Sequence, residues 1–132
     1  MIVLDASALV DVVLDQEASS WVLDQLEGEE VCAPAHQPAE VLSALARLVR
    51  AGELESGAAD AAIDEVAALA QELVVPSREH LHAALGAQNR IRVLDGLYVS
   101  LAQERRCPLV TTDRRLARSS SGTDVRVPPE RP

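Results

Sequence analysis

The chain has 132 residues, 48% of them apolar and 25% charged, which places it with soluble globular proteins rather than disordered chains. Its length suits one domain with a real core. Aromatic residues make up 2%, Trp21 and Tyr98 with no Phe, so the core is built from Ala, Val, Leu and Ile, and base-stacking platforms are argued against. The formal net charge of −9 speaks against a nucleic-acid partner until its distribution is seen: residues 1–89 carry −13 and residues 90–132 carry +4. Lysine is absent, so every basic side chain is Arg, the residue suited to planar, bidentate phosphate contacts; a plain compositional bias toward Arg is the alternative. Cys32 and Cys107 lack metal-ligand spacing and read as two buried free thiols. No signal-like segment precedes Asp5 and no apolar run is long enough to span a bilayer, so a cytoplasmic protein without membrane contact is expected.

In chain order, Met1–Leu4 is a short unbroken apolar run, read as the central strand of a parallel sheet, and it ends at Asp5. Ser7–Leu14 and Glu17–Leu26 follow as helices, the second with a stripe of Trp21, Val22 and Leu26. Val31–Ala33 is a strand stopped by Pro34. Pro38 opens a helix with Val41, Leu42, Leu45, Leu48 and Val49 on its apolar face, ended by Gly52. Glu40 falls in its first turn, where the helix dipole alone favours an acid. Ser56–Gln71 reads as an Ala-rich helix with Ala58, Ala62, Val66 and Leu69 inward, and Leu73–Val75 as a strand closed by Pro76. Arg78–Asn89 is a helix with Leu81, Ala84 and Leu85 inward. His80 and His82 cannot share a helical face and are read as surface residues.

Val93–Ala102 is helical by the spacing of Leu94, Leu97 and Leu101. Asp95 shares a face with Val99 and Ala102, so its carboxylate points at packed protein, unless it serves as a helix cap. Pro108–Thr112 is a second buried strand, again ended by an acid, Asp113. Arg114–Arg118 is a short basic helix, Ser119–Gly122 a flexible loop, Val125–Val127 an edge strand, and Pro128–Pro129 the start of a frayed tail. The alternation predicts one α/β domain over 1–132, a three-layer α/β/α sandwich around a mainly parallel sheet.

Asp5, Glu40, Asp95 and Asp113 all lie where an element meets the same end of that sheet. Four carboxylates converging without compensating Lys or Arg would repel, and a divalent cation removes the conflict. Oxygen ligands suit Mg²⁺ or Mn²⁺, and two such ions about 3.5–4 Å apart are the usual apparatus for water attack on a phosphodiester. Ser7, Thr111 and Thr112 are close enough in sequence to orient the ligands.

The motifs Ile2-Val3-Leu4-Asp5-Ala6-Ser7, Pro38-Ala39-Glu40-Val41, Leu94-Asp95-Gly96-Leu97-Tyr98-Val99-Ser100-Leu101-Ala102 and Leu109-Val110-Thr111-Thr112-Asp113, in that order over nearly the whole chain, resemble a PIN-domain ribonuclease of the small VapC-type toxins. The resemblance implies that Asp5, Glu40, Asp95 and Asp113 bind Mg²⁺, that Tyr98 packs beneath them, and that RNA is cut endonucleolytically to leave a 5′-phosphate. It also implies a cognate antitoxin, for which the helices around Trp21, Val22 and Leu26 offer a groove, and a homodimer. One departure is Gly96, where many relatives carry Ala; Gly costs about 0.8–1 kcal/mol in a helix interior, so a slightly looser helix is expected there. Arg114, Arg115 and Arg118 become candidate phosphate clamps, with the acidic half facing away from RNA. Phosphatase and phosphoreceiver folds need a lysine that this chain lacks, and no Gly-rich loop follows the first strand. A silent RNA-binding module of the same fold and a DNA-cutting enzyme remain the alternatives.

Overall fold

Ile2, Val3 and Leu4, each at most 1% exposed, form the middle strand β1 (Ile2–Leu4) of a five-stranded sheet. The computed structural model describes residues 1–120 and 122–130; Ser121 of the expected loop and Arg131 and Pro132 of the expected tail lie outside the described residues. After β1 come α1 (Ala6–Val13), α2 (Ser19–Leu26), β2 (Val31–Pro34), α3 (Gln37–Arg50), α4 (Ser56–Ala68) and β3 (Glu72–Val74). The second half adds α5 (Arg78–Gly86), α6 (Val93–Arg105), β4 (Leu109–Val110), α7 (Arg114–Ser119) and β5 (Val125–Arg126). The strand order is β3-β2-β1-β4-β5 and every pairing is parallel, so the sheet expected to be mainly parallel is wholly so among the described residues.

The chain steps outward from β1 to β2 and β3, then returns across the sheet to β4 and β5. Because parallel crossovers are right-handed, the two directions of travel put their helices on opposite faces. Helices α1 to α4 accordingly contact one another, while α6 lies on β1, β2 and β4 with α5 against it, giving the three expected layers. The direction reverses between β1 and β4, and such a switch point leaves a crevice outside the carboxyl ends of the two strands. Val3 and Leu4 pair with Leu109 and Val110, so Asp5 and Asp113 leave adjacent strands as expected.

Pro34 is part of β2 rather than its stop, since parallel pairing with Val74 asks no N–H of it there. Several side-chain assignments shift. Helix α4 turns Ala59, Ala62 and Val66 inward and leaves Ala58 outside. Leu42, Leu81, Leu85 and Leu94 are exposed, against expectation. On α5 the reason is a close helix crossing: the contact with α6 is made by small residues, and a Cβ built on Gly96 would lie 3.1 Å from Ala84 Cα and 3.2 Å from its Cβ. The bulkier leucines stay outside that crossing. Gly96 therefore fits α6 against α5 rather than loosening the helix. Gly96→Ala gains about 1 kcal/mol of helix propensity but overpacks the crossing at about 1–3 kcal/mol, so thermal melting is expected to fall by a few degrees. A rise would show that α5 slides aside without penalty.

His80 is buried, not on the surface, whereas His82 is exposed. The His80 backbone N–H donates to Ser77 Oγ, Ser77 N–H donates to His80 Nδ1, and Nε2 lies 2.9 Å from Glu104 Oε2 on α6. This reciprocal cap holds the ring against the sheet side of α5. Cys32 is buried and Cys107 half-buried, both as free thiols. Burial, with the nearby Cys107, pushes the Cys32 thiol up to about 11. The segment after β5 is tied down at Pro128, whose carbonyl accepts from Arg114 at 2.7 Å, so fraying does not begin there.

Candidate active site

Asp5 occupies the cap position of α1 but its side chain does not cap the helix. Its Oδ2 accepts from Ser7 Oγ and from Thr111 Oγ1, each at 2.6 Å. Each hydroxyl spends its one proton on Asp5 and accepts a backbone N–H in turn: Thr112 N–H donates to Ser7 Oγ at 3.1 Å and Asp113 N–H to Thr111 Oγ1 at 3.0 Å. The end of β4 is thus bound to the Asp5 carboxylate through two relays. Ser7 and Thr111, expected to orient ligands, both bond directly to the Asp5 carboxylate. Thr112 joins this network through its backbone N–H. Burial raises the Asp5 pKa above the ordinary range; the Ser7 and Thr111 hydrogen bonds oppose this, and the charges of Asp95 and Glu40 reinforce it.

Glu40 sits in the first turn of α3, where Oε1 accepts from the Tyr98 hydroxyl at 2.8 Å and lies 3.1 Å from His36 Nε2. Burial acts to raise its pKa, but the His36 and Tyr98 contacts outweigh it and hold Glu40 below its usual value. Tyr98 is fully buried and meets the His36 ring edge-on, with centroids 5.1 Å apart. Burial, then the charges of Asp5 and Glu40, keeps its hydroxyl protonated as a donor. Asp95 is in the first turn of α6 and is buried as its helical face predicted; the cap position belongs to Arg92, so capping is not its role. Its Oδ2 accepts from Arg92 Nε at 3.0 Å. Asp113 caps α7: Oδ1 accepts from the Arg115 backbone N–H at 2.9 Å, and the Arg115 guanidinium lies 3.4 Å from both carboxylate oxygens. Burial raises its pKa, and the Arg115 contacts more than reverse the shift.

All four acids line one cleft of about 510 Å³ at the switch point, with Ser7, His36, Arg47, Arg92 and Leu94 among the other walls. The cleft is less one-sided in charge than expected, because Arg92 and Arg115 each pair with one of its acids. Arg92, Arg47 and His36 were not singled out from sequence. Arg92 lies three residues before Asp95 and Arg47 seven after Glu40, spacings that share a helical face and held the signal. Arg47 comes from the acidic half, so that half does not simply face away from the site.

Among the described residues no three Asp, Glu, His or Cys side chains stand close enough to enclose an ion as placed. The donor chemistry nevertheless suits a hard divalent cation. The four acids offer oxygen only, and Asp5 is buried beside two like charges with hydroxyls but, among the described residues, no cationic side chain bonded to it.

The other expected contacts are mixed. Arg114 is committed to Pro128, Arg115 clasps Asp113, and Arg118 is exposed on α7. Val22 is 0% exposed and belongs to the core, so it cannot face a partner, while Trp21 and Leu26 are half-buried at the margin of the core.

With a parallel sheet in this strand order and four acids around its switch point, the match of the PIN domain family model to residues 2–120 completes the assignment: the chain belongs to the PIN domain family. Among its relatives, Ribonuclease VapC3 of Mycobacterium tuberculosis is 40% identical over 124 residues, covering 89% of this chain and 86% of that one. Ribonuclease VapC12 of the same organism is 35% identical over 119 residues, covering 90% and 92%. In structure, the chain is similar to VapC20 of M. tuberculosis, described as a sarcin–ricin-loop-cleaving toxin, with a TM-score of 0.71 at 14% identity and coverage of 93% and 96%. It is also similar to a chain of the Rickettsia felis VapBC2 complex bound to a promoter DNA fragment, with a TM-score of 0.70 at 14% identity and coverage of 96% and 98%.

Proposed function

We propose that this protein is a divalent-cation-dependent endoribonuclease of the VapC type, the toxin of a toxin–antitoxin pair. The observation that carries the reading is the convergence of Asp5, Glu40, Asp95 and Asp113 on one cleft, with Asp5 buried beside like charges and held by the Ser7 and Thr111 hydroxyls. These four residues would hold Mg²⁺ or Mn²⁺. The cation supplies positive charge that lowers the pKa of an attacking water and offsets the charge growing on the phosphodiester. The protein's own part is to fix the acids in place: Ser7 and Thr111 orient Asp5, Tyr98 orients Glu40, and α7 carries Asp113 at its start. Arg115, beside Asp113 in a shallow depression shared with Arg92 and Asp95, is the best placed of the three α7 arginines to meet a flanking phosphate; Arg118 follows it on exposed surface.

The VapC names of the relatives and the VapBC complex among the similar structures support an antitoxin partner. Trp21 and Leu26 on α2 form part of the surface proposed for it, and a homodimer and a cytoplasmic site of action are part of the same proposal. No helix among the described residues is long and apolar enough to cross a membrane.

Cleavage of total cellular RNA with added Mg²⁺ or Mn²⁺, beside an Asp5→Ala variant and an EDTA control, tests this. Discrete fragments bearing 5′-phosphates, lost in both controls, are the expected result. The pairing of Asp95 with Arg92 and the spacing of the acids favour a second reading, a silent RNA-binding module. That reading wins if Mn²⁺ binds by calorimetry and no RNA is cut.

A further inference from the structure

Arg92 stands at the start of α6 with its side chain 70% exposed, yet its Nε reaches Asp95 Oδ2 at 3.0 Å. It lines both the main cleft and a shallower depression of about 200 Å³ that continues past Asp113 to Arg115 and Arg90. A guanidinium and a divalent cation compete for the same carboxylate oxygen. An exposed ion pair contributes little and a divalent cation binds oxygen ligands strongly, so the cation prevails. Once displaced, Arg92 has its planar fork at the junction of the two depressions, where a chain of phosphates entering the cleft must pass.

We infer that Arg92 is an exchangeable counterion: it competes with the divalent cation for Asp95 and, when displaced, binds a phosphate of the RNA backbone. The inference rests on the ribonuclease reading and adds to it a coupling, in which cation loading turns a guanidinium from the acids toward the polyanion. Arg47 supplies the internal comparison. It is exposed, lines the same cleft from α3, and pairs with no carboxylate among the described residues. Arg47 is therefore available to phosphate whatever occupies Asp95.

Two measurements on Arg92→Gln separate the roles: Mn²⁺ titration calorimetry, and fluorescence anisotropy of a mixed-sequence single-stranded RNA in Ca²⁺ across a salt series. Mn²⁺ binding is expected to tighten about two- to fivefold, because a competing ion pair is removed. RNA binding is expected to weaken, with the salt slope smaller by about 0.7, the loss of one phosphate contact on a single strand. Arg47→Gln is expected to lower the RNA slope equally, with only the smaller Mn²⁺ change that a distant charge produces. Arg92→Lys keeps the charge and restores most of the slope. Mn²⁺ affinity in Arg92→Gln that is unchanged, weaker, or no tighter than in Arg47→Gln overturns the exchange, as does an unchanged RNA slope. Normal Mn²⁺ binding by the wild type in those cases leaves the ribonuclease reading standing. A wild type that binds no Mn²⁺ overturns both.

Discussion

Asp5→Asn is expected to cut ribonuclease activity on the order of 10³-fold while raising the melting temperature measured in EDTA. Asn keeps a side-chain oxygen to accept the Ser7 and Thr111 hydroxyls, so the geometry survives, but it removes a buried negative charge that Asp95 and Glu40 repel. The gain is about 1 kcal/mol, or roughly 3–5 °C in a chain of this length. Its pH dependence has a fixed sign. The folded-state pKa of Asp5 is raised, so between the ordinary aspartate value and the raised one the native protein binds more protons than the unfolded chain. Wild-type stability is lost through that window as pH rises. The advantage of Asn over Asp should be near zero below the window and reach its full value above it. Melting of the two proteins at a series of pH values, compared as a difference, isolates this group from Glu40 and Asp113, whose shifts run the other way. Added Mn²⁺ should stabilise the wild type and reverse the order, because the variant has lost a ligand; at 100 times its Kd the ion contributes about 2.7 kcal/mol. An Asn variant that melts lower than wild type in EDTA would mean the carboxylate is structural.

Gln37→Ala is expected to be the most damaging single change away from the acids, at about 3 kcal/mol and roughly 10 °C. Gln37 is 0% exposed. Its Nε2 donates to the Leu4 carbonyl and to Gln71 Oε1, both at 3.0 Å, and its Oε1 accepts from Gln71 Nε2 at 2.7 Å. The β1–β2 ladder registers only Ile2 and Val3, and Gln37 continues it by one bond at Leu4, the residue before Asp5. Alanine would leave the Leu4 carbonyl and both the oxygen and the nitrogen of the Gln71 amide without their Gln37 partners, and open a cavity beneath the first turn of α3. Gln71→Ala should cost about 1 kcal/mol, since Gln37 still reaches Leu4 and Gln71 is nearer solvent. The double variant should lose little more than Gln37→Ala alone, because the two share their bonds. Equal losses in the two single variants would show that the Leu4 bond carries no weight. Denaturant titration of the four proteins decides it.

The fold was largely legible because its signals are local. Two short apolar runs ending in acids, separated by amphipathic helices, require parallel crossovers, and the right-handed rule then fixes the faces. The four acids were legible for the same reason, each marking the junction of an element with one end of the sheet. What escaped were groups whose role depends on a neighbour far along the chain or on the exact helical face. His80 read as a surface residue because nothing in its own helix announces Glu104 on α6. Leu81 and Leu85 read as core because α5 has an apolar stripe; that α5 meets α6 through Ala84 and Gly96 is a property of the pair. Arg92 was overlooked because it precedes the apolar run that defined its helix. Val22 was placed on a surface because a half-polar helix does not say which of its apolar residues the core will take.

The position of β1 bears on the order in which the molecule is made. Its neighbours are β2, which begins at Val31, and β4, which begins at Leu109. During synthesis the first strand can therefore settle against β2 early, but its other edge stays open until β4 has emerged. The two relays from Thr112 and Asp113 that hold Asp5 in place cannot form before then. A contact of such long sequence separation is slow to close and is the last to be gained. The cleft is thus completed only once β4 joins β1, long after Asp5 itself has been made.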